Sequence, residues 1–506
     1  MALIGIDLGT TFCAVATLDD RGRPATIPNR DGEMLTPSAV YLGPDGSAVV
    51  GQPALDIGLE QPDRVATFIK RRMGLPDFGR PVAGRIFRPE TLAALILKKL
   101  AADAAIQVGT VDSCVITVPA YFDDTRRKAT MDAGRIAGLE VLDILDEPSA
   151  AALAYLAGGA AESPGQTVLV YDLGGGTFDV TLVKFSRKKF QVLAIEGDVR
   201  LGGKDWDDRI VEYVSRQFLE KFGSDPRTDA QSLAMLLSAA ERTKRTLSKL
   251  ENGSLTCTHD GQRLSLPLTR AEFEALTRDL VTRTRLTTLQ ALSQSRLTWK
   301  DVDRVLMVGG STHMPIVGRM LKELTGREPE RSLAVSEVVA RGAAAHAGIV
   351  RQRSPMPPPL MEFLDGIVEI TVNAHSLGVE VRRGEDRLND RLIAKNTQLP
   401  AMAERTYFTA KASQERVRVR ILQGEASQAE ACMPVGECWI EGLPGQLPKG
   451  SPVEVSCGVA ENGRIVVTAR DTTTGRAVRA EIHRPGGLTE EQIAAETAWV
   501  RRVSVS

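Results

Sequence analysis

Six cysteines are scattered over 506 residues (Cys13, Cys114, Cys257, Cys432, Cys438 and Cys457), and none form a C-x-x-C pair. No cysteine–histidine cluster has zinc spacing either, so buried, reduced thiols are expected rather than a metal or redox site. No apolar run approaches the roughly 20 residues that a spanning helix needs. The chain enters a strand pattern at Met1-Ala2-Leu3-Ile4-Gly5 with no basic leader. A cytoplasmic protein with no membrane partner is therefore expected. Charge of one sign is not in excess: 63 basic against 64 acidic residues gives −1, which excludes polyanion binding by net charge. Only 5% of residues are aromatic, too few for base-stacking platforms, so no nucleic-acid partner is expected. No G-x-x-x-x-G-K-[ST] occurs, which excludes a Walker loop.

What is present is an ordinary globular composition, 43% hydrophobic and 25% charged, long enough for about three domains. Residues 1–350 alternate β-rich runs (Ile4–Ile6, Ala14–Leu18, Ser113–Val118, Thr167–Tyr171, Val180–Phe185, Arg304–Val308) with helical stretches, an α/β pattern. A Pro-rich piece, Ser354-Pro355-Met356-Pro357-Pro358-Pro359, reads as a linker. Beyond it the period becomes two: Val417, Val419 and Ile421 alternate with Arg416, Arg418 and Arg420. Asn462-Gly463 marks a hairpin, so residues 371–484 read as an antiparallel sheet domain. The arginines read as a solvated face rather than a nucleic-acid stripe. At Thr489 a helix begins, with Thr489 as cap and acids in its first turn.

Two segments resemble each other: Ile4-Gly5-Ile6-Asp7-Leu8-Gly9-Thr10-Thr11 and Leu169-Val170-Tyr171-Asp172-Leu173-Gly174-Gly175-Gly176-Thr177, their aspartates 165 residues apart. Each is a strand, an Asp and a Gly-rich turn with Thr, which suggests duplicated lobes. Glycines let backbone N–H groups approach phosphate oxygens, and Thr10, Thr11 and Thr177 add hydroxyl donors. Asp7 and Asp172 stand at strand ends, where carboxylates hold Mg²⁺ through its water shell. Val308-Gly309-Gly310-Ser311-Thr312 supplies a third such turn. Glu241, Lys244, Arg245 and Ser248 share one helix face, with Leu236, Ala240, Leu247 and Leu250 on the other side.

These blocks resemble the heat shock protein 70 chaperones of DnaK type. So do Val115-Ile116-Thr117-Val118-Pro119-Ala120-Tyr121-Phe122, Leu201-Gly202-Gly203, Leu392-Ile393-Ala394-Lys395-Asn396-Thr397 and Leu422-Gln423-Gly424-Glu425. The resemblance implies an α/β actin-like (duplicated ribonuclease-H-like) two-lobed ATPase domain plus an all-β sandwich that binds peptide. The ATPase would span 1–350, with one lobe at about 1–162 and 334–350 and the other at 166–333. A linker (351–370), the sandwich (371–484) and the residual start of a helical lid (485–506) would follow. It implies ATP/ADP, Mg²⁺ at Asp7 and Asp172, and K⁺ as an additional ion. Lys70 would reach the γ-phosphate, and Glu147 and Thr177 would place the attacking water. Thr10, Thr11, Gly174, Gly175, Gly176, Gly202 and Gly203 would hold phosphate. Glu241, Lys244, Arg245, Ser248, Gly309, Gly310, Ser311 and His313 would hold the nucleoside. Pro119 and Arg127 would relay nucleotide state. Val379, Tyr407, Val417, Val419 and Arg464 would line the peptide pocket. Unfolded polypeptide, a J-domain co-chaperone and an exchange factor are the implied partners, for a monomer.

Departures from the family pattern are local. His313 replaces an adenine-stacking Arg, Ser336 an Asp near the same pocket, and Phe12 a small or polar residue. In the linker, Glu369 interrupts the aliphatic run, and Thr371 stands near the missing Asp. Asp143 and Asp146 invert charge where the J-domain docks, and Arg382 and Arg464 alter the pocket and its arch. Residues 485–506 suffice for the first lid turns only, and the segment between Gly51 and Pro119 is short for the family. Two readings follow: an ATP-dependent lidless chaperone, and a regulatory or scaffolding nucleotide-dependent binding protein with weak ATPase and a dedicated partner. A small-polyol kinase on the same fold is a distant third.

Overall fold

The computed structural model describes residues 2–157, 165–186, 189–331, 336–351, 367–414, 416–441, 448–460, 463–471, 477–480 and 487–506. The Pro-rich linker piece and Asn462 lie outside the described residues. The chain is mixed α/β with several sheets. Each strand read from the α/β region of the sequence is present, most of them longer by a residue or two at the ends.

Two six-stranded sheets repeat one plan. In the first, Ala2–Asp7 lies between its antiparallel neighbour Phe12–Leu18 and the parallel strand Val111–Val118, with Pro24–Ile27 and Glu140–Asp146 outside them. In the second, Thr167–Leu173 lies between antiparallel Phe178–Ser186 and parallel Arg304–Val308, with Lys189–Asp198 and Glu330–Arg331 outside. The duplication seen as two Asp-Gly-Thr segments is thus a duplication of strand order. Asp7 is the last and Asp172 the penultimate residue of the strand at the middle of this pattern. Such strands are covered on both faces and read as unbroken apolar runs; Ile4, Ile6, Val168, Leu169 and Val170 are buried.

Helices Glu147–Ala157 and Val338–Arg351 fill the space between the sheets, in a core that draws on strands of both. They touch because residue 342 is glycine: a Cβ there would lie 1.7 Å from the Ala150 carbonyl oxygen. That packing fixes Glu147 at the start of its helix. The segment between Gly51 and Pro119 forms helix Gln52–Gly58, a 3-10 turn Ile69–Arg72 that carries Lys70, and helix Pro89–Val108. Phe68, just before Lys70, is left-handed (φ 55°), a conformation that costs a bulky residue of order 1–3 kcal/mol.

From 377 onward two four-stranded antiparallel sheets enclose one core. One runs Asp386–Ile393, Leu377–Arg383, Arg416–Gln423, Met433–Glu441; the other Ala401–Phe408, Pro452–Val459, Ile465–Asp471, Ala477–Ala480. Leu377, Val379, Val419 and Ile421 from the first meet Val453, Val455, Cys457 and Val467 from the second. Cys13, Cys114, Cys257, Cys432 and Cys457 are free and buried. No helix among the described residues is long and apolar enough to cross a membrane.

Thr489 caps its helix as read: its hydroxyl accepts from the Gln492 N–H at 3.2 Å, and the Gln492 side chain accepts from the Thr489 N–H at 3.0 Å. Helix Glu490–Arg502 is the segment read as the residual start of a lid. It lies on helices Pro89–Val108 and Asp124–Ile136 beside the first sheet, not on the sandwich. Ile493, Val500 and Val503 join that core. Trp499 meets Phe87 at 5.5 Å, with the Arg85 guanidinium 4.8 Å from its ring. Lys98 Nζ binds the carbonyls of Val500 at 2.9 Å and Val503 at 2.7 Å, so a cation closes the helix C-terminus. The chain then pairs along Ala48–Val50, where Ser504 O accepts from the Ala48 N–H at 2.9 Å. This helix is an integral layer of the first α/β unit. Ile493→Ala is therefore expected to destabilise that unit by about 2–5 kcal/mol, read as an earlier urea transition. An unchanged transition would show the helix to be a loose appendage.

Candidate functional site

The two Gly-rich turns meet face to face. A Cβ on Gly175 would lie 2.2 Å from Thr11 Oγ1, and one on Gly176 would lie 2.3 Å from Thr10 Cγ2. Glycine is thus required where the turns of the two sheets touch. Between and beside them opens a cavity of about 720 Å³. Its lining brings together Asp7, Thr10, Thr11, Lys70, Glu147, Asp172, Gly174, Gly175, Thr177 and Gly203 with Glu241, Lys244, Arg245, Ser248, Gly309, Gly310, Ser311 and His313. Ser336 and Phe12 also line it. Gly176 and Gly202 do not line the cavity; they pack on each other behind the turn.

At one end the chemistry is concentrated. Lys70 and Glu147 are buried, and Lys70 Nζ lies 2.5 Å from Glu147 Oε1. Burial alone would push this lysine down, but Glu147 and Asp7 hold its pKa above the ordinary range. Asp7 is pushed up to about 7 by burial and by Glu147, against Lys70 and the Thr117 hydroxyl, which donates to it at 3.3 Å. Asp172 is raised well above its usual range by burial, then by Glu147, Asp179 and Asp7. Asp179 is raised by burial and Glu147. Burial and mutual repulsion thus favour the neutral forms of Asp7, Asp172 and Asp179, and a further cation beside them would let them ionise. Among the described residues no three His, Cys, Asp or Glu side chains converge to hold a metal directly. A water-mediated Mg²⁺ suits this donor set, because that ion keeps most of its waters.

At the other end, helix Ala230–Lys249 presents Glu241, Lys244, Arg245 and Ser248 to the cavity, while Leu236, Ala240 and Leu247 are buried behind them. Leu250 departs from the reading: it follows the helix and is 59% exposed. Lys244 Nζ is fixed by Asp207 Oδ2 at 2.8 Å and Gly203 O at 2.9 Å, and Arg245 pairs with Glu241 and lies over the Phe12 ring. Ser311 Oγ donates to Gly174 O at 2.8 Å. His313 is held below the ordinary imidazole range by partial burial and by Arg331 and Lys249, so it is neutral at pH 7. Sequence reading missed two tethers. One is Asp207 on Lys244; the other is Arg71, which reaches across the cleft to Gly176 O at 3.0 Å and to Asp205. Arg71 adjoins Lys70, but its partners are more than a hundred residues away and leave no local signal.

The sandwich docks beside this cleft. Lys395 Nζ binds Glu196 at 2.7 Å and lies over the Tyr121 ring. Asn396 Oδ1 accepts from the Ile195 N–H at 3.1 Å, and Gln423 Oε1 from the Asp124 N–H at 3.1 Å. Two of the quoted sequence blocks therefore supply interface contacts. Pro119 follows strand Val111–Val118. Arg127 is paired to Asp146, donates to Ile144 O at 2.9 Å, and borders a small cavity shared with Thr371, Leu399 and Gly463. Val379 and Val419 are in the sandwich core, with Tyr407 and Val417 packed against it. Arg464 is apart from them: it is exposed beside the hairpin turn at Gly463, and buried Ile465 takes the core position.

The linker strand Val368–Ile370 extends the second sheet, parallel to Lys189–Asp198. Glu369 does not disrupt it. His346, on the helix between the sheets, sets Nε2 3.0 Å from Asp143 Oδ2 and Nδ1 3.3 Å from Glu369 Oε2, the latter a charge contact without hydrogen-bond alignment. Asp143 and Asp146 are thus held in internal ion pairs rather than presented as an open acidic face.

The family model for the Hsp70 protein matches residues 3–499 of this chain.

The imidazole gives linker docking a pH dependence. Burial would lower its pKa, but Asp143 and Glu369 raise it to about 10. Below the pKa of the undocked imidazole, docking is insensitive to pH. Above it, undocking releases a proton, so docking weakens as pH rises, until the docked imidazole itself deprotonates near 10. Energy transfer between dyes on the second α/β unit and on the sandwich should fall between pH 7 and 10, and His346→Gln should flatten the response. A parent signal constant over this range would contradict the assignment.

Proposed function

The chain belongs to the Hsp70 family, and from that premise we propose that it is an ATP-driven chaperone in which an actin-like ATPase (1–350) controls a polypeptide-binding β-sandwich. The observation that carries the reading is the convergence of Lys70, Glu147, Asp7 and Asp172 at one end of a cavity whose other end is the helix face 241–248. Phosphoryl transfer to water requires positioning and charge neutralisation rather than covalent chemistry. The backbone of the facing turns, with Thr10, Thr11 and Thr177, would cradle the phosphates. Lys70 would meet the γ-phosphate, and Glu147, already bonded to Lys70, would orient the water through its second oxygen. Asp7 and Asp172 would hold Mg²⁺ through its waters, and that ion supplies further neutralisation of the phosphates when bound. Arg245, Lys244, Ser248 and Ser311 would hold the nucleoside. Neutral His313 gives the base a weaker stacking partner than an arginine, which favours modest nucleotide affinity.

Val379, Tyr407, Val417 and Val419 would meet the apolar residues of an extended chain. Nucleotide state would reach them through the docked linker and the Arg127–Asp146 pair. Asp143 and Asp146 offer no cation to a J-domain at that surface, which disfavours the family's usual co-chaperone contact.

Lys70→Ala removes the buried cation while leaving the nucleoside contacts in place. Turnover should fall about 10²–10³-fold, with nucleotide still bound in a fluorescence titration. Turnover at the parental rate would remove Lys70 from the reaction.

A further inference from the structure

The arginine alternation has no part in the reading above. Along Arg416–Gln423, Val419 and Ile421 are buried in the core and Val417 packs against it, so period two sends Arg416, Arg418 and Arg420 to the outer face. The neighbouring strands add to that face. Arg420 bonds Glu380 at 2.9 Å, and two residues further on Arg382 lies opposite Arg387. Across the other edge Arg418 lies opposite Trp439. Arg382, Arg416 and Arg418 are exposed, and Trp439 is 37% exposed. Among the described side chains, the carboxylates paired with them are Glu380, shared by Arg420 and Arg387, and Glu437, 3.7 Å from Arg418; Glu441 stands opposite Arg416 in the register. Five guanidinium groups against these three carboxylates leave a local positive excess on a chain whose net charge is −1.

We propose that this outer sheet face binds an acidic stretch of extended polypeptide. The inference rests on the reading of the sandwich as a polypeptide binder, and names the class of chain it takes. Alternate residues on a strand are about 6.8 Å apart, the same repeat as alternate side chains of an extended ligand. A guanidinium fork matches a carboxylate bidentately. Arg416 lies 4.9 Å over the Trp439 ring, an arrangement that holds its plane ready to pair. Arg382 lies three residues beyond Val379 on the same strand, so the two point to opposite faces of the sheet. The same stacking covers one face of Trp439, and among the described residues named above this side of the sheet offers no second aromatic ring for successive bases, which favours carboxylate over single-stranded nucleic acid.

The test uses the full chain and fluorescein-labelled peptides with one apolar core, flanked by Glu, Ser or Lys, read by anisotropy at low and high salt beside an oligo-dT of similar length. The Glu-flanked peptide should bind about tenfold tighter than the Ser-flanked one, and the gap should close at high salt. The double variant Arg382→Ala/Arg418→Ala should lose that preference while keeping the parental ATP turnover without peptide. Equal affinity for Glu- and Ser-flanked peptides, a preference that survives in the variant, or tighter binding of oligo-dT would each overturn the proposal with polypeptide binding intact. Failure of all three peptides to bind would overturn the underlying reading, and this proposal with it.

Discussion

Lys70 is buried among Asp7, Glu147, Asp172 and Asp179, and these groups come from both sheets. With one cation for four carboxyl groups, burial and mutual repulsion hold Asp7, Asp172 and Asp179 towards their neutral forms. A cation bound with phosphate would relieve repulsion between them as well as orient a reactant. Approach of the two sheets and assembly of the site would then go together. The Gly turns permit it, because Gly175 and Gly176 allow the backbones to approach until Thr10 and Thr11 touch them.

The carboxylate cluster has a contiguous path to the sandwich. Asp179 accepts from the Tyr121 N–H at 3.1 Å, and Tyr121 O lies 3.0 Å from His375 Nε2. The Tyr121 and His375 rings are 4.3 Å apart, and Lys395 caps the tyrosine from the sandwich side. A second path runs from Glu147 through its neighbour Asp146 to Arg127 and the shared cavity. Each is a chain of direct contacts between charged or hydrogen-bonded groups, the physical form that coupling between distant sites requires. The linker adds a third tie, because docking of Glu369 depends on the same helix, Val338–Arg351, that packs between the sheets.

The facing turns of the cleft are legible in the sequence because each is local. A strand-end Asp, a Gly turn and a Thr within a few positions announce a cradle, and the period of helix 230–249 announces the face that closes it. The ties that orient these groups are not local. Asp207 fixes Lys244 from another helix, Arg71 reaches Asp205 from across the cleft, and Asp143 meets His346 over 203 residues of chain. No spacing encodes such pairs. For the same reason the start and cap of helix 490–502 could be read, while its resting place on the first α/β unit could not. Arg464 shows the converse limit: the motif aligns it with the pocket positions, while the strand leaves it exposed and places Ile465 in the core.

The central claim is that the carboxylate cleft and the sandwich act as one device. ATP turnover by the intact chain, measured with and without an extended peptide, tests it most directly. Peptide should raise turnover several-fold in the parent, and replacing His375 with alanine should blunt that stimulation while leaving the peptide-free rate close to parental. A rate indifferent to peptide would contradict coupling between the two.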